Sequence, residues 1–314
     1  MLKFGIYKPS QLSDKSAFYG IFGDKKHFSI VLYDQIPYIE NSEEIAQEIL
    51  MQFSDTRGIY KRTYRKRFEE FDQNCLGIIQ EKLSGKKIIV HDVGVSDART
   101  SCDFYEKLQF FFPNCEFYAS DCNPDVIILY KGTTIVVINE ALEILETTMP
   151  PFVWNRNRIR KEKLLYPLNF FIQWIVENFI SKKIVYEYQK GKISMKRLSL
   201  FCQRAKDLCN QSSHFHLLKH NVLDKSPVSD EFSVLRAMNV LNPALFSVQE
   251  LTIAIDHFCS SLIEGGLFIT GCNQDANSLV HGTIYQKKDF AFVPVYVSGK
   301  GSPLNEIILA KGQK

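Results

Sequence analysis

Four short stretches of this chain end an apolar run on polar residues. They are Asp92-Val93-Gly94-Val95-Ser96, Ser120-Asp121-Cys122-Asn123, His220-Asn221-Val222 and Arg236-Ala237-Met238-Asn239. Each follows a run with strand composition. In an open parallel sheet all four would gather beyond the carboxyl ends of the strands, where such sheets bind ligands. A dinucleotide loop wants G-x-G-x-x-G there, so that a pyrophosphate can approach the backbone and a helix start. Here Gly94 stands alone, and Asp92 would face a diphosphate with a like charge. A ligand with an ammonium near the first strand and a ribose near the second suits these residues better. Asp92 would accept from the ammonium, Gly94 would let the chain pass close, and Asp121 would accept from both ribose hydroxyls.

S-adenosylmethionine carries both groups, and at this point the chain resembles a family, the class I S-adenosylmethionine-dependent methyltransferases. "VHDVGVSDA" is similar to their first motif, an acid followed by alternating glycines. "YASDCNP" looks like their second, with Asp121 as the ribose acid and Cys122 beside it. "LKHNVLD" matches the adenine-side motif and brings in Asn221 and Val222. "SLIEGGLFITG" matches the family's helix, double-glycine turn and fifth strand. The resemblance covers Lys86 to Leu309, with an insertion between about Pro150 and Asn210. Ser96 and Ala98 stand where glycines are common, and Asn221 where an acid is usual.

"LRAMNVLNPALF" is similar to the strand-four segment of the chemotaxis receptor methyltransferases, a more distant likeness that implies pocket roles for Arg236 and Asn239. Those enzymes also place a basic helix ahead of strand one. "TRGIYKRTYRKRF" occupies that position, so Tyr60 and Arg62 are expected to reach the cofactor carboxylate or an acidic substrate. The resemblance implies transfer of a sulfonium methyl to an acceptor. Such a cofactor is already a strong electrophile, so positioning does most of the work and no obligatory catalytic residue is expected.

The elements that must position these residues read as alternating strands and helices, which argues for α/β architecture with crossovers. The expectation is a seven-stranded, mainly parallel sheet with an antiparallel C-terminal hairpin and helices on both faces. A small N-terminal cap (1–55) would precede the catalytic domain (56–314), which would carry a helical insertion or lid at about 150–210. A basic helix is expected over 56–83, and a further helix starting at Ser96 or Asp97. "VIILYKGTTIVVINEAL" reads as a hairpin turning at Lys131-Gly132. "GTIYQKKDFAFVPVYVSG" and "LNEIILAKG" read as strands, and the segment from Pro150 to about Asn210 as mostly helical. His91 would point away from Asp92 on an alternating strand, whereas His220 is near enough to the cleft to be considered as a base.

The rest of the composition narrows the class. With 45% hydrophobic and 23% charged residues, this is an ordinary globular chain. A net charge of +3 gives no global argument for nucleic acid. The eight cysteines include no CxxC pair and no zinc spacing, so no metal is expected, and reduced thiols fit a cytoplasmic protein. "LLYPLNFFIQWIVENFISKKIVY" is very apolar, but Asn169, Gln173, Glu177 and Asn178 give it a wet edge, as in an amphipathic helix. Together with Arg156, Arg158 and Arg160 it makes peripheral membrane contact through about 154–180 an expectation, beside the reading as a lid. The acceptor is expected to be a small molecule or a protein rather than nucleic acid. Two other readings stand: an inactive cofactor-binding interaction module, and a nicotinamide-dependent reductase.

Overall fold

The computed structural model describes residues 5–12, 27–38, 42–53, 61, 63–155, 166–226, 228, 231–273 and 279–310. The chain forms two compact units, one of Met1–Arg62 with Asp125–Leu200 and the other of Thr63–Pro124 with Phe201–Lys314. The division differs from a cap followed by a catalytic domain. The N-terminal segment and the insertion belong to one unit, and the insertion starts at Asp125, ahead of the expected 150.

The second unit is built on the expected sheet. Its strands are β1 (Ile89–Val93), β2 (Glu116–Asp121), β3 (Phe215–Lys219), β4 (Phe232–Met238), β5 (Leu262–Cys272), β6 (His281–Lys288) and β7 (Ala291–Ser298). They lie in the order β3-β2-β1-β4-β5-β6-β7. The first five are parallel, and β6 and β7 form an antiparallel hairpin at the edge. The chain runs outward from β1 to β3 and then returns to β4, so the switch point lies between β1 and β4.

Alternation along the strands sorts side chains into two layers. Val90, Phe117, Phe215 and Val234 pack with α1 (Glu69–Leu83), α2 (Arg99–Phe111) and α3 (Gln203–Gln211). Phe117 and Phe215 stack at 5.5 Å, with Tyr105 of α2 against both. On the other face Val93, Phe232, Leu235 and Phe268 meet α4 (Val248–Ser261) and α5 (Asn305–Ala310).

Three local expectations change. The basic helix begins only at Glu69, because Lys66 is left-handed at φ 59° and residues 65–68 form a turn. The helix after β1 begins at Arg99, since Ser96 and Ala98 have φ of 61° and 62°. The described part of "LNEIILAKG" is the helix α5 where a strand was expected: Leu304 and Ile308, four apart, are both buried against the α4 layer, and Tyr285 Oη donates to Asn305 Oδ1 at 2.8 Å.

The first unit has a five-stranded antiparallel sheet. Its strands run in the order Phe152–Asn155, Ile144–Met149, Thr134–Ile138, Asp125–Lys131, Met195–Ser199. The expected hairpin is present, with Lys131 opposite Thr134. Among its described residues the stretch from Pro150 to about Asn210 therefore holds two strands as well as its helices. On one sheet face Val126, Ile128 and Val137 pack with the helix Ser42–Gln52 and the 3-10 segment Ile30–Tyr38. On the other, Ile127, Leu129, Val136 and Ile138 pack with Ile184 and Val185. Those two lie on a helix that runs through Tyr166–Ile175, a π-turn Val176–Ser181 and Lys182–Gln189. Among the described residues no helix is long and apolar enough to cross a membrane.

The start of α4 is set by a capping box in which Ser247 Oγ accepts from Glu250 N and Glu250 reaches back to Ser247 N. Ser247→Ala should lower stability by about 1 kcal/mol, read as a shifted urea midpoint with an unchanged slope. An unshifted midpoint would show that the cap is not used.

Candidate functional site

The carboxyl ends of β1, β2 and β4 bring most of the predicted residues together, but they divide the work differently from the sequence reading. Asp92 and Arg236 are direct cross-strand partners on β1 and β4. Their side chains project to the α1 side, where Arg236 Nη1 donates to Asp92 Oδ2 at 2.7 Å and Nη2 to Asp72 Oδ1 of α1 at 3.0 Å. Ser101 Oγ of α2 also donates to Asp92 Oδ2, at 2.7 Å. The guanidinium lies between the rings of Phe68 and Phe104, at 5.2 and 4.9 Å. Asp92 and Arg236 are only 2% and 1% exposed. Asp92, expected to take a cofactor ammonium, has its Oδ2 committed to Arg236 and Ser101. Arg236, expected in the pocket, is a core cation.

The triad of one cation and two acids is buried with a surplus negative charge. Burial pushes the Asp72 carboxyl up to about 6, against the pull of Arg236 and with the help of Asp92. Burial also raises Asp92, again against Arg236. Arg236 keeps its proton, since both acids raise its pKa against the cost of burial.

Beyond Asp92 the chain turns through a loop in which alternate residues are left-handed: Gly94 at 66°, Ser96 at 61° and Ala98 at 62°. The alternating left-handed backbone that glycines would favour is therefore present, although Ser96 and Ala98 stand at two of its three positions. Gly94 has a second reason to lack a side chain, because a Cβ there would lie 2.3 Å from Val240 Cγ2. Asp121, at the end of β2 and 7% exposed, holds the loop: its Oδ2 accepts from Ser96 N at 2.7 Å and its Oδ1 from Asn123 N at 3.0 Å. Cys122 beside it is exposed. A buried pair, Arg99 with Asp97 at 3.3 Å, closes the loop into α2.

The remaining predicted residues take mixed roles. Asn221 is exposed and its Oδ1 accepts from Leu223 N, an Asx-type turn, while Val222 is buried in the α4 layer. Asn239 is left-handed at φ 59° and exchanges two hydrogen bonds with Asn273, the residue after β5. Arg67 Nε also donates to Asn273 Oδ1, at 3.0 Å. Tyr60 and Arg62 lie outside the described residues. His91 packs on the other face, 4.9 Å from the ring of Phe232 and 5.2 Å from His220. Burial lowers His91 to about 3, so it is neutral. His220 shares that face, and burial lowers its pKa too.

Asp72, Ser101, Arg67 and Asn273 were missed by sequence reasoning. Asp72 carried a signal, as an acid among the apolar positions Phe71, Cys75 and Leu76 of a helix. Asn273 carried only its place after a strand. Among the described residues no His/Cys/Asp/Glu group could hold a metal ion.

No protein-family model matches the chain, and no curated protein matches it. Solved structures resemble it loosely. The N-methyltransferase NodS from Bradyrhizobium japonicum, solved with S-adenosyl-L-homocysteine, is 14% identical over 76% of each chain, with a TM-score of 0.33. The magnesium protoporphyrin IX methyltransferase ChlM from Synechocystis, solved with bound S-adenosylmethionine, is 9% identical over 73% of this chain and 77% of that one, at 0.31. An S-adenosylmethionine-dependent methyltransferase from Clostridium acetobutylicum is 8% identical over 70% of this chain and 62% of its own, at 0.30. Overlaps this loose carry no inference about activity or ligand.

The site generates two predictions. Asp72 is neutral in folded and unfolded chains well below pH 4, but between about pH 4 and 6 it is protonated only when folded. Its contribution is thus present at low pH and lost as pH rises through about 6. Asp72→Asn removes this titration. Relative to the parent, the variant should gain about 2 kcal/mol between pH 4 and pH 7, measured by urea unfolding at both pH values. A difference constant across that range would refute the assignment. Gly94→Ala should cost about 2 kcal/mol or more, and Val240→Ala should recover part of that loss in the double mutant. Strictly additive losses would mean that Val240 does not limit the site.

Proposed function

We infer that the seven-stranded unit binds S-adenosylmethionine and transfers its methyl group to an acceptor. The acceptor is a small or apolar molecule or a protein group in preference to nucleic acid, and the setting is cytoplasmic. The observation that carries this reading is the Gly94–Ala98 loop. Its three alternate left-handed residues follow β1 at the switch point, and Asp121 of the next strand holds the backbone N–H of Ser96. A loop of this kind offers backbone groups to a ligand at the carboxyl edge of the sheet.

The fit to the cofactor is good at the loop and at Asp121 and poor at Asp92. The backbone of 94–98, Asp121 and the exposed Cys122 would form the binding edge. Asp92 and Arg236 would act from beneath, by fixing the end of β1 against α1 and α2. The bound cofactor supplies an electrophilic sulfonium methyl, so the chain's task is to orient it and the acceptor. The chain's small net charge of +3 supports the preference against nucleic acid.

The burial of Asp92 against Arg236 also favours a second reading, a module that binds the cofactor or its product without turnover. Titration calorimetry with S-adenosylhomocysteine tests binding. Saturable heat is expected, weakened about tenfold or more by Asp121→Asn. Saturating S-adenosylhomocysteine should also slow alkylation of Cys122 by N-ethylmaleimide. Neither heat nor protection would sink both readings. Binding with no label passing from tritiated S-adenosylmethionine to lipid, protein or small-molecule fractions would leave the module.

A further inference from the structure

We propose that the first unit docks on anionic membrane surfaces through an aromatic ridge on its long helix, lying in the interface without crossing it. This goes beyond the methyl-transfer reading and does not rest on it. The helix spans Tyr166–Ile175, the π-turn Val176–Ser181 and Lys182–Gln189. One side is fixed to its own unit: Val176, Ser181, Ile184 and Val185 are buried, Ser181 Oγ is 2.7 Å from Thr147 Oγ1, and Ile184 and Val185 pack on the sheet. The opposite side carries Phe170, Phe171, Trp174, Phe179 and Tyr186, which are 53%, 57%, 47%, 62% and 58% exposed.

Three of these rings are in contact along the helix. Phe171 stacks on Trp174 at 6.4 Å, and Phe179 meets Trp174 edge-on at 5.8 Å. Residues five apart lie on different sides of an α-helix. Here the π-turn, with its i to i+5 spacing, brings Trp174 and Phe179 onto one side. Ser181 Oγ donates to Val176 O, five residues back, and helps to hold that turn.

Charge selects the occupant. Residues 156–192 hold nine Lys and Arg against three Glu, an excess larger than the +3 of the whole chain. Lys182, Lys183, Lys190 and Lys192 are exposed on the described part, and Arg156, Arg158, Arg160, Lys161 and Lys163 precede the helix in sequence. Aromatic side chains combined with cations suit the boundary between anionic headgroups and acyl chains. Polar residues and lysines interrupt the apolar run, and the helix does not qualify to span.

The test is flotation of the full chain with vesicles of phosphatidylcholine and phosphatidylglycerol, compared with phosphatidylcholine alone. Binding is expected only to the anionic vesicles, with loss at high salt and a blue shift of Trp174 emission. Phe171→Ser/Trp174→Ser/Phe179→Ser, and separately Lys182→Ala/Lys183→Ala/Lys190→Ala, should each reduce partitioning by about two orders of magnitude. The substituted side chains of the aromatic triple are exposed, and circular dichroism checks that both variants fold. The proposal is overturned if the parent does not float, or if the aromatic variant floats as well as the parent. It is also overturned if light scattering finds a parent dimer that the aromatic variant converts to monomer, since a second copy would then cover the ridge.

Discussion

The guanidinium of Arg236 is the point on which the seven-stranded unit depends. A cation 1% exposed cannot stay charged without partners, and each of its partners comes from a different element. Asp92 lies on β1, directly opposite in the pairing register, and Asp72 descends from α1. Ser101 adds α2 through the same Asp92 oxygen. Any slip of β1 against β4, or any shift of α1, would strand a buried charge at a cost of about 3–5 kcal/mol. The interaction acts mainly as a specification of register and helix placement. Its own surplus acid costs stability, which is why Asp72 holds its proton to about 6.

The loop beyond β1 inherits this fixed starting point. Ser96 and Ala98 adopt left-handed conformations that glycine takes more easily, each at a cost of about 1–2 kcal/mol. Such strain persists only where the surroundings over-determine it. Here Asp121 holds Ser96 N, Ala98 is wholly buried, and the Asp97–Arg99 pair closes the turn into α2. The loop therefore takes its shape from a carboxylate on the neighbouring strand as well as from its own residues.

The first unit is organised around a different buried acid. Glu146, 1% exposed, accepts from Ser29 Oγ and from Ile30 N at 3.1 Å. It thereby joins the start of the 3-10 segment to the second strand of the five-stranded sheet, although the two are more than a hundred residues apart in the chain. That contact makes one body of the N-terminal segment and the insertion. Alternating apolar residues then give the sheet two covered faces, one under the N-terminal elements and one under the long helix.

Local patterns in the sequence determined the five parallel strands, most of the helices, the hairpin at Lys131-Gly132 and the gathering of Asp92, Gly94, Asp121 and Asn239 at one edge. Period, composition and turn chemistry are properties of neighbouring residues, and they survive without a tertiary context. The same local logic read "LNEIILAKG" as a strand, because a short apolar run does not distinguish the two elements. Burial of Leu304 with Ile308 decided for a helix. Tertiary structure alone decided what Asp92 does. Its acid character was plain in the sequence, but its partner Arg236 is distant along the chain and reaches it only through strand pairing. The merging of residues 1–62 with 125–200 was hidden for the same reason, because Ser29 and Glu146 leave no local trace of one another. Neighbours along the chain fix which elements form; the partners of a buried charge are fixed only when distant elements pack, because burial is what makes an unpaired charge intolerable.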